Sequence, residues 1–283
     1  MITININDNA YPKKLKQIAD PPKKLYVIGN LASLSEKTAV SIVGSRAVTP
    51  YGRQVTTQLA TGLASKGIAI VSGLALGVDG LAHQAALDAG GYTVAVQACG
   101  LDRFYPSSHH NLAKQILASG GAVISEYPEK TEPYPINFVA RNRIVSALCD
   151  GLLITEATER SGTLHTANFA LEQGKTVMAV PGNITSSNST GTNNLIKTGA
   201  TPITSVQDVL HALNIGKQTS LMTVIAANAE EAVVLQLMQR GITDGGELQT
   251  HSKLSPEIFN QTLTMLEITA KIRPLGAGHW GIR

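Results

Sequence analysis

Four short segments concentrate the residues that could hold an anion. Gly44-Ser45-Arg46 closes one β-branched run and Ser72-Gly73 closes the next. Glycine turns at strand ends leave backbone N–H groups beside helix N-termini, which favours phosphate there. Arg46 adds a fork of donors. Arg141-Asn142-Arg143 reads as a helix start preceded by a loop aromatic, Phe138. Such an arrangement suits phosphate contacts and a stacked base. Ser161-Gly162-Thr163 opens a further helical stretch, where Ser161 or Thr163 would cap the helix while free N–H groups meet a phosphate. Each segment also has a plainer reading. The glycines could simply make tight turns, the arginines could neutralise Glu126 and Glu156, and the hydroxyls could only cap.

Other reactive side chains give weaker signals. Asp79 and His83 are four apart, so they share a helix face. A buried structural Asp–His hydrogen bond is expected there rather than an acid/base pair. His109-His110 has no carboxylate or cysteine at metal-ligand spacing, and Cys99 and Cys149 read as small buried apolar residues. The first turn lacks G-x-G-x-x-G, and the second strand ends without the acid that holds a nicotinamide ribose. No metal and no cofactor is expected.

The elements that must position these residues alternate in type. Strands are expected at 38–43, 67–72, 93–98, 122–125, 151–155 and 176–180, with helical stretches such as 53–66 and 164–174 between them. Strands apolar at nearly every position are buried on both faces, as in a parallel sheet covered by helices. The reading is therefore α/β, a Rossmann-like, doubly wound, mostly parallel sheet over 38–213. Residues 1–37 read as an arm packed on that domain and 214–228 as a linker. The remainder, 229–283, reads as a small winged-helix-like domain: helices, one with Ser255 as N-cap and Pro256 at its first position, then a strand–turn–strand from Lys271 to Trp280.

The 283 residues are 43% hydrophobic and 15% charged, which suits a folded core and excludes a disordered tail protein. No apolar run approaches a membrane span and the start has no signal-peptide stretch. With only two cysteines, far apart, a cytoplasmic protein is expected. The net charge of +3 comes from six lysines against three acids in residues 1–40, the rest being neutral. Bulk charge cannot grip a polyanion here. Local arginines and backbone donors must do it.

Taken together, the chain resembles the DNA-processing protein A family (DprA/Smf). The resemblance is carried by Tyr11-Pro12 with Leu25–Asn30, Ile42–Arg46, Ser72–His83, Tyr105-Pro106 and Ser125–Pro128. It continues through Arg141–Ser146, Ser161–Leu164, Val180-Pro181-Gly182 and Gly191–Ala200. It implies single-stranded DNA binding by the Rossmann-like domain, homodimerisation and delivery of RecA recombinase onto the strand, as in natural transformation, with no bond made or broken. On these positions the phosphate pocket would be Gly44, Ser45, Arg46, Ser72, Gly73, Arg141 and Arg143, supported by Asn142, Ser161, Gly162 and Thr163, with Phe138 stacking a base. Two departures stand out: Val139 follows Phe138 where the family often has proline, and 37 residues leave no room for the additional N-terminal helical domain of many members. One alternative is a Rossmann-like nucleoside-monophosphate phosphoribohydrolase, which would want glutamate where this chain has Thr166. Another is a transcription regulator, which would want a cationic recognition helix where 256–270 has lysine only at its far boundary.

Overall fold

The computed structural model describes residues 1–215, 226–269 and 271–282, so most of the expected linker lies outside the described residues. The chain divides into two compact units, Met1–Ile215 and Gly216–Arg283.

The first unit is built on one nine-stranded sheet. Its strands are β1 (Ile2–Asn5), β2 (Lys24–Gly29), β3 (Ala39–Val43), β4 (Ala69–Ser72), β5 (Thr93–Gln97), β6 (Ala122–Ser125), β7 (Gly151–Ile154), β8 (Thr176–Ala179) and β9 (Thr201–Pro202). The order across the sheet is β1-β2-β6-β5-β4-β3-β7-β8-β9. From β6 to β9 every neighbouring pair is parallel; only β1–β2 and β2–β6 run antiparallel. The sheet therefore begins earlier than residue 38, because residues 1–37 supply two of its strands.

Helices cover both faces, as the apolar strands require. They are α1 (Lys13–Lys16), α2 (Pro50–Ala64), α3 (Val78–Asp88), α4 (His110–Ala118), α5 (Pro135–Ala147), α6 (Thr163–Glu172), α7 (Thr190–Lys197) and α8 (Val206–Ala212). The period-2 alternation of β3 sorts its side chains between two cores. Val40 and Ile42 pack with Leu59 and Leu63 of α2, Val78 and Ala82 of α3, and Val209 of α8. Ala39 and Val43 pack on the other face with Ile144 of α5 and Leu148 at its C-cap, Ala167 and Ala170 of α6, and Leu15 of α1. Helix starts follow local chemistry: Thr49 caps α2 by accepting from Gly52 N with Pro50 at the first position, and Ser205 with Asp208 forms a capping box on α8.

The Asp79–His83 hydrogen bond expected from their spacing does not form. Asp79 Oδ2 instead accepts from Gly73 N at 3.0 Å and Ala75 N at 3.3 Å, bracing the turn between β4 and α3. His83 Nδ1 lies 2.7 Å from Thr93 Oγ1 on β5. The Thr93 hydroxyl donates its one proton to Ile70 O, so His83 Nδ1 must be the donor and Nε2 carries a bare lone pair. That Nε2 is buried without a partner among the described residues, and burial lowers the pKa of the ring to about 3. The unfolded chain takes up this proton near pH 6.5 while the folded one refuses it until about 3. Stability due to His83 is therefore full above pH 6.5 and falls as the pH drops, by about 1.4 kcal/mol per pH unit. Urea titrations from pH 7 to pH 4 should show this extra acid slope, and His83→Asn should remove it; equal slopes would refute the assignment.

The second unit is described from Ala226. It contains α9 (Ala229–Gln239), α10 (Gly245–Ser252) and α11 (Pro256–Ile268), followed by a hairpin of β10 (Ile272–Gly276) and β11 (His279–Ile282). Asn228, Asp244 and Ser255 cap the three helices in turn. Val234, Leu235, Leu248, Phe259, Leu266 and Ile272 form a separate small core. Lys271 donates to the buried Glu231 carboxylate at 2.6 Å, tying the hairpin to α9. The outer side of α11 exposes Ile258, Met265 and Ile268 beside Glu257 and Glu267 and presents no cation.

Candidate nucleic-acid interface

The strand order reverses around β3, which pairs β4 on one side and β7 on the other. In open α/β sheets the crevice beyond the carboxyl ends at such a switch point is where ligands sit. A cleft of about 600 Å³ opens there, walled by the loop after β3, the start of α6 and the first turns of α5. It brings together Gly44, Ser45, Arg46, Phe138, Arg141, Asn142, Ser161, Gly162 and Thr163. Ser72, Gly73 and Arg143 do not line it.

Arg46 is the exposed cation of this cleft and has no acid within ion-pair distance among the described residues. Its guanidinium lies 5.2 Å from the centre of the Phe138 ring, a cation–π contact that holds it over the opening. Tyr105 meets the same ring edge-on at 5.5 Å. With Pro133, Pro135 and Val139 these aromatics form an apolar wall beside the charge. In the sequence Tyr105 stands out only within the Tyr105-Pro106 motif, with no place in the site, and the two prolines do not stand out at all. Pro133-Tyr134-Pro135 was the available signal, since proline sets the first helical position.

That proline also corrects the placement of the arginines. α5 begins at Pro135 with Tyr134 as N-cap, so Phe138 is helical and Arg141-Asn142-Arg143 lies in mid-helix. Successive residues of a helix point about 100° apart, and the two arginines accordingly face different surroundings. Arg143 donates to both Glu126 oxygens, at 2.6 Å each, and to Asp20 O, which withdraws it from the cleft. The expected neutralisation holds for this arginine. Asn142 stays half-buried on the lining.

Arg141 is only 3% exposed. Its Nη1 donates to the carbonyls of Gly73 and Val96, while Nε has no partner among the described residues. Burial lowers its pKa to about 10, so it remains a cation at neutral pH. Burial also raises the pKa of Asp79, against the pull of Arg141 and two backbone N–H groups. The two charges converge on Gly73, where an added Cβ would lie 2.5–2.6 Å from both side chains. Glycine is thus needed at 73 to let two buried charged side chains approach it from either side. The Gly73 N–H is spent on Asp79 and the Ser45 N–H on Glu156 O, so neither turn offers those donors to a phosphate. Ser72 Oγ likewise donates inward to Ile42 O.

The third wall is the start of α6. Gly162, not Ser161 or Thr163, occupies the N-cap position, and no side chain caps the helix there. Ser161 Oγ accepts from Thr163 N, and Thr163 Oγ1 donates to Gly44 O, stitching α6 to the loop after β3. Gly162 is exposed, and no acidic side chain occupies the first turn, so the positive end of this helix faces the cleft. Cys99 and Cys149 are buried with raised pKa values and take no part.

An open, mostly parallel sheet with an exposed arginine and an aromatic wall at its switch point defines a Rossmann-type domain with an anion-attracting cleft. The chain belongs to the DNA recombination-mediator protein A family, whose model matches residues 2–214. It is 43% identical over 206 residues to protein Smf of Escherichia coli, covering 73% of this chain and 55% of that one. The chain thus spans about half the length of that relative. The X-ray structure of DNA processing protein A from Streptococcus pneumoniae superposes with a TM-score of 0.70 at 41% identity, covering 74% of this chain and 73% of the other. A structure of DNA processing protein A from Helicobacter pylori, described for its single-stranded DNA binding mode, gives 0.67 at 37% identity, covering 75% of this chain and 95% of the other. Both establish the Rossmann-like fold for the first unit.

Proposed function

We propose that this protein is a recombination mediator that binds single-stranded DNA through the first unit and delivers RecA onto it. The observation that carries this reading is the exposed, acid-free Arg46 poised over Phe138 at the switch point. A backbone phosphate drawn to Arg46 and the α6 N-terminus pulls the guanidinium off the ring. The uncovered face of Phe138 then accepts a base, and Asn142 and Ser161 lie within the same lining. Arg141 sets the floor by fixing the β4 turn, and Gly44, Gly73 and Thr163 hold the loops in register. Binding is stoichiometric, without catalysis. The phosphoribohydrolase reading is not favoured, since Thr166 stands on the lining where its carboxylate would be needed.

Family membership supports RecA as partner, a homodimer as the working form and the cytoplasm as its place. The second unit suits a winged-helix-like module that docks protein: its third helix shows apolar and acidic side chains outward, which duplex DNA would repel. The direct test is an anisotropy titration of the full chain with single- and double-stranded oligonucleotides of one sequence. Preferential, salt-sensitive binding of the single strand is expected. Equal or absent binding by the folded protein would overturn the proposal.

A further inference from the structure

A second cavity, of about 560 Å³, opens on the other side of the loop after β3. Its walls include Thr49, Pro50 and Tyr51 at the start of α2, Pro181, Gly182 and Asn183 after β8, and Glu156 just beyond β7. The loop that separates it from the Arg46 cleft is short and pinned on both sides. Ser45 N donates to Glu156 O, and Asn188 Nδ2 donates to Ala47 O at 2.9 Å. The two cavities therefore flank one rigid partition, and their chemistries differ. The Arg46 side offers a cation; the second offers no cation at all, but a buried carboxylate and a fixed aromatic ring.

Glu156 is 2% exposed and has no ion-pair partner among the described residues. Thr49 N donates to its Oε2 at 3.0 Å and the Thr49 hydroxyl to its Oε1. A carboxylate has about four acceptor sites. Two have no donor among the described residues, on a buried charge that lines the cavity, and this costs free energy until donors fill them. The fold makes room for this group deliberately: a Cβ on Gly52 would fall 2.2 Å from the Glu156 carboxyl carbon. Tyr51 donates its hydroxyl to Pro181 O at 2.8 Å, which locks its half-exposed ring at the mouth.

We infer that this cavity is a nucleobase pocket, which takes from a strand held at Arg46 a base that carries an exocyclic amine. The inference rests on the single-strand reading above. The amine donates to the open lone pairs of Glu156, as a carboxylate accepts from cytosine N4, while the ring lies against Tyr51 and Pro181. Thymine presents a carbonyl oxygen at the corresponding edge, which the carboxylate repels. Phosphate is excluded for the same reason, so backbone and base are sorted to opposite sides of the partition. The site thereby gives a composition preference to a protein whose phosphate contacts have none.

The test is an anisotropy titration of the full chain with three oligonucleotides of equal length: oligo-dC, oligo-dT, and an oligo-dT with abasic residues at alternate positions. Wild type is expected to bind oligo-dC about fivefold or more tightly than oligo-dT, and the abasic strand no more tightly than oligo-dT. Glu156→Gln and Tyr51→Ala should each shrink the dC/dT ratio to about twofold or less while the folded protein keeps its oligo-dT affinity. Tyr51 lies at the surface, so this second variant keeps the question answerable where Glu156→Gln fails to fold. Equal affinity of wild type for oligo-dC and oligo-dT, or a dC preference undiminished in both variants, would overturn the base pocket and leave single-strand binding intact. No binding of any strand by wild type would instead overturn the single-strand reading on which the pocket rests.

Discussion

Replacing Arg141 with alanine should lower the stability of the first unit by about 3–5 kcal/mol, the cost of removing one partner from a set of buried charges. Two carbonyls, Gly73 O and Val96 O, lose their donor inside the core, and each orphaned acceptor carries its own desolvation penalty. Asp79, already pushed toward protonation by burial, loses the cation that opposes this. The side chain also leaves a cavity at the head of β4 and β5. Urea unfolding followed by far-UV dichroism measures the loss. A second variant separates charge from packing: adding Asp79→Asn should recover part of the deficit, because an amide oxygen still accepts from Gly73 N and Ala75 N without bearing charge. A double variant as unstable as the sum of the two singles would mean that the charges do not interact.

Arg46→Ala should leave stability within about 0.5 kcal/mol, since the side chain is exposed and its one aromatic partner among the described residues is Phe138. Its effect belongs to binding. Loss of a charge-assisted contact is worth about 1.5–3 kcal/mol, a roughly 10- to 150-fold weaker single-strand affinity. The loss should be alike for every base composition, because phosphate contacts carry no sequence information. The salt slope of log affinity should also fall by about 0.7 for the one phosphate no longer neutralised. Arg46→Lys should recover the salt slope but not the full affinity, as an ammonium lacks the planar fork that meets a phosphate with two N–H groups. An unchanged salt slope in Arg46→Ala would remove the residue from the phosphate path.

The central strands were legible because a parallel sheet buries them on both faces, and Val-, Ile- and Ala-rich runs such as 39–43 and 69–72 carry that signature without ambiguity. β1 and β2 were not, since an edge strand alternating polar and apolar residues, as Ile2–Asn5 does, resembles an ordered arm. The cleft was found through Gly44–Arg46 and Ser161–Thr163, which lie at strand ends whatever the loops do in detail. What spacing could not show was where polar groups go once the chain is closed. Asp79 reaches back to the β4 turn rather than along its own helix, and Glu156 comes from far down the chain to Thr49. Both spend donors or acceptors that look free in a linear reading. Arg143 is the same lesson from the opposite direction, for Glu126 and Asp20 claim it only in three dimensions.

The sheet order carries a consequence for synthesis. β2 lies between β1 and β6, so once made it must wait until Ala122–Ser125 has left the ribosome before its second edge is covered. β3 waits longer for β7. Through that interval Leu25 and Val27, fully covered in the finished protein, sit on a nascent β1–β2 hairpin with an open edge. β2 is thus among the first strands made, yet it keeps one edge open until β3, β4 and β5 have followed it and β6 arrives. Lys23 and Lys24 at the head of β2, with Lys13, Lys14 and Lys16 before them, place like charges beside this waiting edge and oppose its pairing with another nascent chain.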